Sequence, residues 1–265
     1  MDEVAGAFPL VRLMGFTDEQ LERYARHIVL REIGGAGQAR LREAHVAIVG
    51  AGGIGSPVIA YLAAAGVGTL RVIDPDTVSL SNLQRQVLFD TQDIGQPKAE
   101  AAATAAHRLN PDCRVIPINA AIDAGNAATL LREADIILDG CDNFETRLAV
   151  SDAATRLRIP LVTAAVGQFE GQIGVWRGWE EGQPCYRCLV GETTTDPART
   201  CAEEGIVGAL TGIIGSMAAL EVIRALVPFG QSATGKLIVF DLLSRRLREL
   251  AIPRDPACPA TLATA

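Results

Sequence analysis

The chain has 265 residues, of which 49% are hydrophobic and 21% are charged, and its 31 acidic side chains outnumber its 24 basic ones. This apolar content excludes an intrinsically disordered chain, and the net charge of −7 disfavours a dedicated nucleic-acid binder. The length fits one large α/β domain or two small ones.

The first part of the chain alternates between helical and strand-like patterns. Thr17 begins a capping box, and apolar residues follow it at helical spacing, so we predict a packed N-terminal helix. Strands are predicted at 45–50, 69–74, 114–118 and 135–139, with helices at 55–65 and 98–109. This alternation favours a parallel sheet with helices on both faces.

The pattern changes after residue 160. We predict a strand hairpin at 160–166 and 172–177, a loop at 178–204, an apolar helix at 208–227 and a strand pair at 236–241 and 246–250. The fold class is therefore α/β, with a Rossmann-like mixed sheet. We expect a single domain over 1–265, with an N-terminal helical segment at 17–42, a parallel half at 43–160 and an antiparallel half at 161–265.

The N-terminal sequence, the uncharged runs and the cysteine content together predict the cellular compartment. The N-terminus lacks the basic start and cleavage signal of an export peptide. The uncharged run at 46–68 is long enough to span a bilayer, but its glycines and Pro57 indicate a strand followed by a helix. Six cysteines in such a chain favour metal or thiol chemistry over a disulfide framework. We therefore expect a cytoplasmic protein without a membrane span.

A glycine-rich turn is predicted between the first strand and the next helix. Its glycines are Gly50, Gly52, Gly53 and Gly55. Glycine lets the backbone pass close to phosphates, whose charge is met by N–H groups at the helix start. Asp74 ends the following strand, where an acid can bind ribose hydroxyls. This pattern alone is as typical of nicotinamide- or flavin-binding proteins as of ATP-binding ones, and a turn without any ligand is the remaining alternative.

A polar and cationic group of residues follows Asp74. Its members are Ser81, Asn82, Gln84, Arg85 and Lys98. A triphosphate attacked at its α-phosphorus needs several such groups, because charge builds on the transferring and departing oxygens. The alternative is a solvated loop that contains one Arg and one Lys.

Longer strings carry a family resemblance that covers nearly everything from Thr17 to Cys258. They are RYARHIVL, GAGGIGSPVIAYLAAAGVGTLRVIDPDTVSLSNLQRQ, GQPK, CDN, EGQ, CYRC, TCAEEGIVGALTGIIGSMAALEVI and GKLIVFD. With them the chain resembles the MoeB/ThiF/HesA family of ubiquitin-activating-enzyme-like adenylyltransferases. The SNLQRQ and CDN strings are the most specific of these.

The resemblance implies that the parallel half binds ATP with magnesium. Gly53 would lie near the phosphates and Asp74 on the ribose. The triphosphate would be held by Asn82, Arg85 and Lys98. Asp142, with Asn143 beside it, would position magnesium or the reacting groups. Arg26 matches an arginine that reaches the ATP of the neighbouring subunit, which implies a homodimer.

The resemblance also implies a protein substrate for the antiparallel half. This partner is a small ubiquitin-fold sulfur carrier that ends in Gly-Gly, and its terminal carboxylate attacks the α-phosphate to give an acyl-adenylate and pyrophosphate. The nucleophile is already ionised at neutral pH, so positioning and charge neutralisation suffice for catalysis. We expect sulfur to come from a separate donor. A nicotinamide-dependent oxidoreductase and a non-catalytic nucleotide-dependent scaffold are the alternatives.

Cysteines suggest two further features. Cys185 and Cys188 have zinc-ligand spacing, and relatives complete a four-thiolate site with a second C-x-x-C pair. Here that pair is Cys258 and Thr261, so zinc binding is an open question. Cys201 precedes an apolar helix and matches a cysteine that some relatives use in thioester or persulfide chemistry; an ordinary loop thiol is the alternative.

Overall fold

The sheet has eight strands and changes from parallel to antiparallel partway across. The computed structural model describes residues 14–191 and 205–262, without the side chains of 261 and 262. The strands are β1 (His45–Val49), β2 (Thr69–Ile73), β3 (Arg114–Ile118), β4 (Ile136–Asp139), β5 (Leu161–Val166), β6 (Glu170–Trp176), β7 (Lys236–Asp241) and β8 (Arg246–Ala251). Their order is β3-β2-β1-β4-β5-β6-β7-β8. Strands β1 to β5 pair in parallel, and β6, β7 and β8 pair antiparallel, which confirms the predicted mixed sheet.

Helices lie before the sheet and on both of its faces. They are α1 (Asp18–Arg23), α2 (Ala25–Ile28), α3 (Gly34–Glu43), α4 (Gly55–Ala64), α5 (Lys98–Leu109), α6 (Ala127–Leu131), α7 (Phe144–Leu157), α8 (Tyr186–Val190), α9 (Gly208–Leu226) and α10 (Pro259–Leu262). Two short 3₁₀ turns, at Leu80–Asn82 and Thr91–Asp93, precede α5.

The N-terminal helix differs from the prediction. Its capping box is present, with the Thr17 hydroxyl accepting a hydrogen bond from the Gln20 N–H. The helix breaks at Tyr24, whose ring stacks edge-on against Phe16 and whose hydroxyl accepts a hydrogen bond from Asn110 Nδ2 at 2.8 Å. These tertiary contacts divide the predicted helix into α1 and α2.

Four other helices, α6, α7, α8 and α10, were not predicted. The predicted loop at 178–204 contains α8, so that part of the prediction is wrong. Helices α6 and α7 were missed because small and polar residues interrupt their apolar spacing. For α7 the available signal was Asn143, whose side chain caps the helix by accepting a hydrogen bond from the Thr146 N–H at 2.7 Å.

Alternate residues of the central strands build two separate cores. In β1, Val46 and Ile48 face one cluster, which contains residues of α4, α5 and α9. Ala47 and Val49 face the other cluster, which contains residues of α6, α7 and α8. The sheet is therefore covered on both faces, as the buried parallel strands require.

The run that could have been a membrane span is β1, the glycine turn and α4, as predicted. Helix α9 is long and apolar enough to cross a membrane by length and composition. In this fold its Leu210, Ile214, Ala218 and Val222 pack into the core beside the sheet. The cytoplasmic location stays a prediction.

The strand order places a crevice at the carboxyl ends of β1 and β4. The chain continues from β1 to β2 on one side, whereas β4 lies on the other side of β1. Connections that leave in opposite directions open a gap at such a point, and open α/β sheets bind their ligands there.

Candidate active site

A cleft of about 430 Å³ lies at this point of the sheet. Most of the predicted site residues line it, namely Gly50, Gly52, Gly53, Asp74, Asn82, Arg85, Lys98, Asp142 and Asn143. Four other predicted residues, Arg26, Gly55, Ser81 and Gln84, do not line it within the part of the chain that the structure describes. Sequence reasoning missed Gln86 and Arg147, which do.

The glycines of the turn have different tasks. Gly50 has a φ of +90°, and a Cβ on Gly55 would lie 2.0 Å from the Gly50 carbonyl oxygen, so both are needed to close the turn. A Cβ on Gly53 would lie 3.0 Å from Thr211 Cγ2, which marks tight packing on α9. At Gly52 the nearest atom would be Gln86 Nε2 at 3.6 Å. Gly52 therefore leaves open space where a phosphate could approach the backbone.

Asp74 shapes the same turn. Its Oδ2 accepts a hydrogen bond from the Ala51 N–H at 2.7 Å, and its Oδ1 accepts one from the Asp76 N–H at 2.8 Å. Burial raises the pKa of Asp74, and these two backbone hydrogen bonds act against the rise. The acid predicted to bind ribose is thus also a structural tie between β2 and the glycine turn.

The two cations that the sequence predicted for the cleft each have a partner. Lys98 Nζ donates a hydrogen bond to Asp76 Oδ2 at 2.7 Å, and Lys98 is buried. Arg85 Nη1 donates one to the Ser81 carbonyl oxygen at 3.2 Å. Ser81 thus contacts the site through its backbone, whereas its hydroxyl lies 3.1 Å from the Ser79 hydroxyl.

The loop after β4 brings an acid to the cleft. Asp142 and Asn143 are both exposed there. The amide oxygen of Asn143 is used as the cap of α7. No hydrogen bond or ion pair among the described residues engages the Asp142 carboxylate. An exposed carboxylate in the lining of this cleft fits a magnesium ligand, because magnesium prefers oxygen donors and keeps several waters.

Beneath this loop lies a buried ion pair. Arg147 Nη1 is 3.7 Å from Asp139 Oδ2, and Asp139 is fully buried. Burial alone would lower the pKa of Arg147, but the surrounding acidic groups, Asp139 first among them, together raise that pKa above its usual range. The available sequence signal was an acid at the end of a buried strand, since a buried charge needs a partner.

Comparison with known proteins decides the family. The sequence model of the ThiF family matches residues 24–260. The chain belongs to the ThiF family. It is 43% identical to a sulfur carrier protein adenylyltransferase of Thermus thermophilus, an alignment that covers 93% of this chain and 92% of that protein. It is 42% identical to a molybdopterin-synthase adenylyltransferase of Escherichia coli, over 91% of this chain and 96% of that protein.

Solved structures agree with the fold. A crystal structure of Escherichia coli MccB superposes with a TM-score of 0.80 at 23% identity, covering 94% of this chain and 74% of that one. A likeness at this identity concerns the fold alone. The resemblance inferred from the sequence strings and the mixed α/β architecture of this ThiF-family chain are both confirmed.

Three predicted metal ligands of this ThiF-family chain come together. The sulfur atoms of Cys185, Cys188 and Cys258 all lie within 4.8 Å of one another. Cys185 Sγ is 3.8 Å from Cys188 Sγ and 3.5 Å from Cys258 Sγ. Burial raises the pKa of Cys185 to about 12. Three convergent thiols fit three of the four ligands of a structural zinc site, and Thr261 follows in α10 at the fourth position.

Arg26 and Cys201 are the remaining predicted residues. Arg26 is exposed on α2, and within the described part of the chain no hydrogen bond or ion pair engages its side chain. It does not line the cleft of its own chain. Cys201 lies outside the described residues, so its role stays a prediction.

Proposed function

We propose that this ThiF-family protein uses ATP to adenylylate the C-terminal glycine carboxylate of a small ubiquitin-fold sulfur carrier. The observation that carries the proposal is that Arg85, Lys98 and the exposed Asp142 line one cleft together with the glycine turn. The open space at Gly52 supports a bound phosphate chain. The names of the two curated relatives support adenylylation and a sulfur-carrier or molybdopterin-synthase substrate.

In the proposed reaction, a carboxylate oxygen of the carrier forms a bond with the α-phosphorus. The bond from that phosphorus to the bridging oxygen breaks, and pyrophosphate leaves with the electron pair. No proton has to be removed from the nucleophile, because a carboxylate is ionised at neutral pH. Asn82, Arg85 and Lys98 would hold the triphosphate, the two cations would neutralise the charge that develops on its oxygens, and Asp74 would bind the ribose.

Asp142 would hold magnesium, with Asn143 beside it. Magnesium held there would offset the negative charge of the phosphates. Hydride transfer to a nicotinamide needs no such cationic pair and metal carboxylate. A non-catalytic scaffold that only binds a nucleotide needs neither. The residues of the cleft therefore favour adenylylation over an oxidoreductase and over a scaffold.

The proposal includes further partners. Arg26 would complete the active site of the partner subunit in a homodimer, because its guanidinium is permanently charged and can bridge phosphate oxygens. Sulfur would come from a separate donor, in the cytoplasm, and would later displace AMP from the acyl-adenylate. Zinc would tie the C-terminal segment to α8 through Cys185, Cys188 and Cys258.

Pyrophosphate exchange tests the reaction. Labelled pyrophosphate should enter ATP only when a carrier with an intact Gly-Gly end is present, and the same carrier lacking its last two glycines is the matched control. Asp142→Ala should lose exchange with an unchanged melting temperature, because the side chain is exposed. Exchange without a carrier, or reduction of a nicotinamide, would contradict the proposal.

A further inference from the structure

A buried arginine lies directly beneath the loop that carries Asp142. Arg147 belongs to the first turns of α7 and is 7% exposed. Its Nη2 donates a hydrogen bond to the carbonyl oxygen of Cys141 and another, at 2.8 Å, to the carbonyl oxygen of Ala164 in β5. One guanidinium nitrogen therefore ties the loop to the neighbouring strand.

Asp139 holds the same loop residue from the other side. Its Oδ1 accepts a hydrogen bond from the Cys141 N–H at 3.0 Å. The backbone of Cys141 is thus held at its N–H by Asp139 and at its carbonyl by Arg147, and these two residues form an ion pair with each other. Cys141 immediately precedes Asp142, so this double attachment fixes the backbone from which the exposed carboxylate extends.

Burying the Arg147–Asp139 pair costs desolvation free energy, so the pair is not an efficient way to stabilise the fold. Among the described residues, Arg147 Nη1 and Asp139 Oδ2 are buried without a hydrogen-bond partner. Apolar residues of similar size often replace a buried ion pair without loss of stability. A charged pair that is incompletely satisfied, yet holds both the N–H and the carbonyl of one residue, is better explained by a need to place the backbone of that residue accurately.

We propose that Arg147 and Asp139 are positioning residues that hold Asp142 in the orientation required for catalysis. This inference rests on the proposed function, since it assigns Asp142 a role in the transfer. Both residues would act through the backbone of Cys141, and Arg147, which also lines the cleft, would add the attraction of its charge for the Asp142 carboxylate. Misplacement of a reacting group by about 1 Å lowers rates by about a hundredfold in enzymes that depend on orientation.

The test begins with Arg147→Lys, which keeps a positive charge near Asp139 but cannot reproduce the geometry of the guanidinium. We expect kcat for carrier-dependent exchange to fall at least tenfold, with the KM for the carrier changed less than twofold. The double variant Arg147→Lys with Asp142→Ala should be no slower than Asp142→Ala alone, because the arginine acts through that residue. If instead the two substitutions lowered kcat independently, so that the double variant were slower than Asp142→Ala by the factor seen for Arg147→Lys, the proposal would be overturned.

A matched control separates positioning from general stability. Arg71 is also a partly buried arginine that pairs with an acid, Glu133, and donates to a carbonyl oxygen, that of Leu130 at 2.9 Å. It does not line the cleft within the described residues. Arg71→Lys should lower the melting temperature without lowering kcat. A loss of kcat in this control as large as in Arg147→Lys would overturn the proposal.

A charge-neutral variant covers the case in which single changes fail to fold. Asp139→Asn combined with Arg147→Gln removes both buried charges together, so we expect its melting temperature to exceed that of Arg147→Gln alone. Its exchange activity should remain at least tenfold below wild type. Wild-type exchange in a folded double variant would contradict a positioning role.

A binding measurement distinguishes this inference from the proposed function. Calorimetric titration of wild type with ATP at several magnesium concentrations gives the magnesium dependence of binding without any carrier. We expect the magnesium dependence of ATP binding to be weaker in Arg147→Lys than in wild type, as it should also be in Asp142→Ala. If the wild-type protein binds MgATP but shows no exchange, the proposed function is contradicted. If the magnesium dependence of ATP binding is the same in Arg147→Lys as in wild type, the positioning role is contradicted. Absence of MgATP binding in wild type would overturn both.

Discussion

Lys98 Nζ donates a hydrogen bond to Asp76 Oδ2 at 2.7 Å, so the lysine expected to bind the triphosphate is already paired with an acid. Lys98 has a side chain that is 7% exposed, whereas that of Asp76 is 63% exposed. The acid therefore sits at the mouth of the cleft, and the ammonium must exchange this carboxylate for phosphate oxygens when the nucleotide binds.

Replacement of Asp76 should strengthen ATP binding. Asp76→Asn keeps the size of the side chain and removes the competing charge. Because an ion pair with a largely exposed acid contributes about 0.2–1 kcal/mol, the Kd for ATP should fall by up to about fivefold. Calorimetric titration measures this change, with Lys98→Ala as the variant that loses affinity. Weaker binding by Asp76→Asn would mean that the acid contacts the nucleotide or its metal directly.

Glycine variants separate folding from phosphate binding. Gly52→Ala should keep the melting temperature, since its methyl group would meet no atom closer than 3.6 Å. That methyl group would extend into the cleft, so ATP binding should weaken at least tenfold. Gly212→Ala in α9 is the matched control, because its Cβ has no heavy atom within 4 Å and the residue does not line the cleft. It should bind ATP normally; equal affinity in both variants would show that phosphate does not approach Gly52.

Arg26 gives a prediction about the dimer. Arg26→Ala and Asp142→Ala should each be nearly inactive, because they remove different parts of the same composite site. After subunit exchange, about half of the dimers contain one subunit of each variant and therefore one intact site. Exchange activity should recover to about a quarter of the wild-type level if the sites act independently.

The control for this experiment is each variant mixed with itself and treated in the same way. Native mass spectrometry of isotope-labelled subunits verifies that heterodimers have formed. Verified heterodimers without recovered activity would place Arg26 in the site of its own subunit or outside the site.

The cysteine cluster predicts a metal that is bound less tightly than in a complete thiolate site. Thr261→Cys should increase zinc retention during mild chelation, because it restores the second C-x-x-C pair. Cys258→Ser should lose zinc, and Thr261→Ser is the matched control that leaves the ligand count unchanged. Elemental analysis of the purified variants measures this. Stoichiometric zinc in wild type after chelation would show that another group closes the site.

Most of the nucleotide cleft could be predicted because its determinants are local. The glycine turn, Asp74, Asn82, Arg85 and Lys98 follow strand ends or begin a helix, and parallel strands bring their carboxyl ends to one edge. Side-chain direction could not be predicted in this way. Ser81 and Gln84 belong to the same string, but the 3₁₀ turn at Leu80–Asn82 leaves them outside the lining of the cleft.

The features that the sequence did not predict depend on contacts between different elements of the fold. Asp139 and Arg147 pair across the turn between β4 and α7, and Arg147 also reaches Ala164 in β5. Neither the spacing nor the composition of the sequence identifies such a partner. The break at Tyr24 has the same origin, since it depends on Asn110, which is 86 residues away.

The closure of the glycine turn affects what a G-x-G-x-x-G string indicates about function in other chains. Gly55 is required by the Gly50 carbonyl oxygen, 2.0 Å from where its Cβ would be, and not by contact with the cleft. Selection for folding alone would preserve this glycine after catalysis had been lost. A pseudoenzyme of this fold would therefore keep Gly50 and Gly55, and the loss of function would be visible at Gly52, Arg85, Lys98 and Asp142 instead.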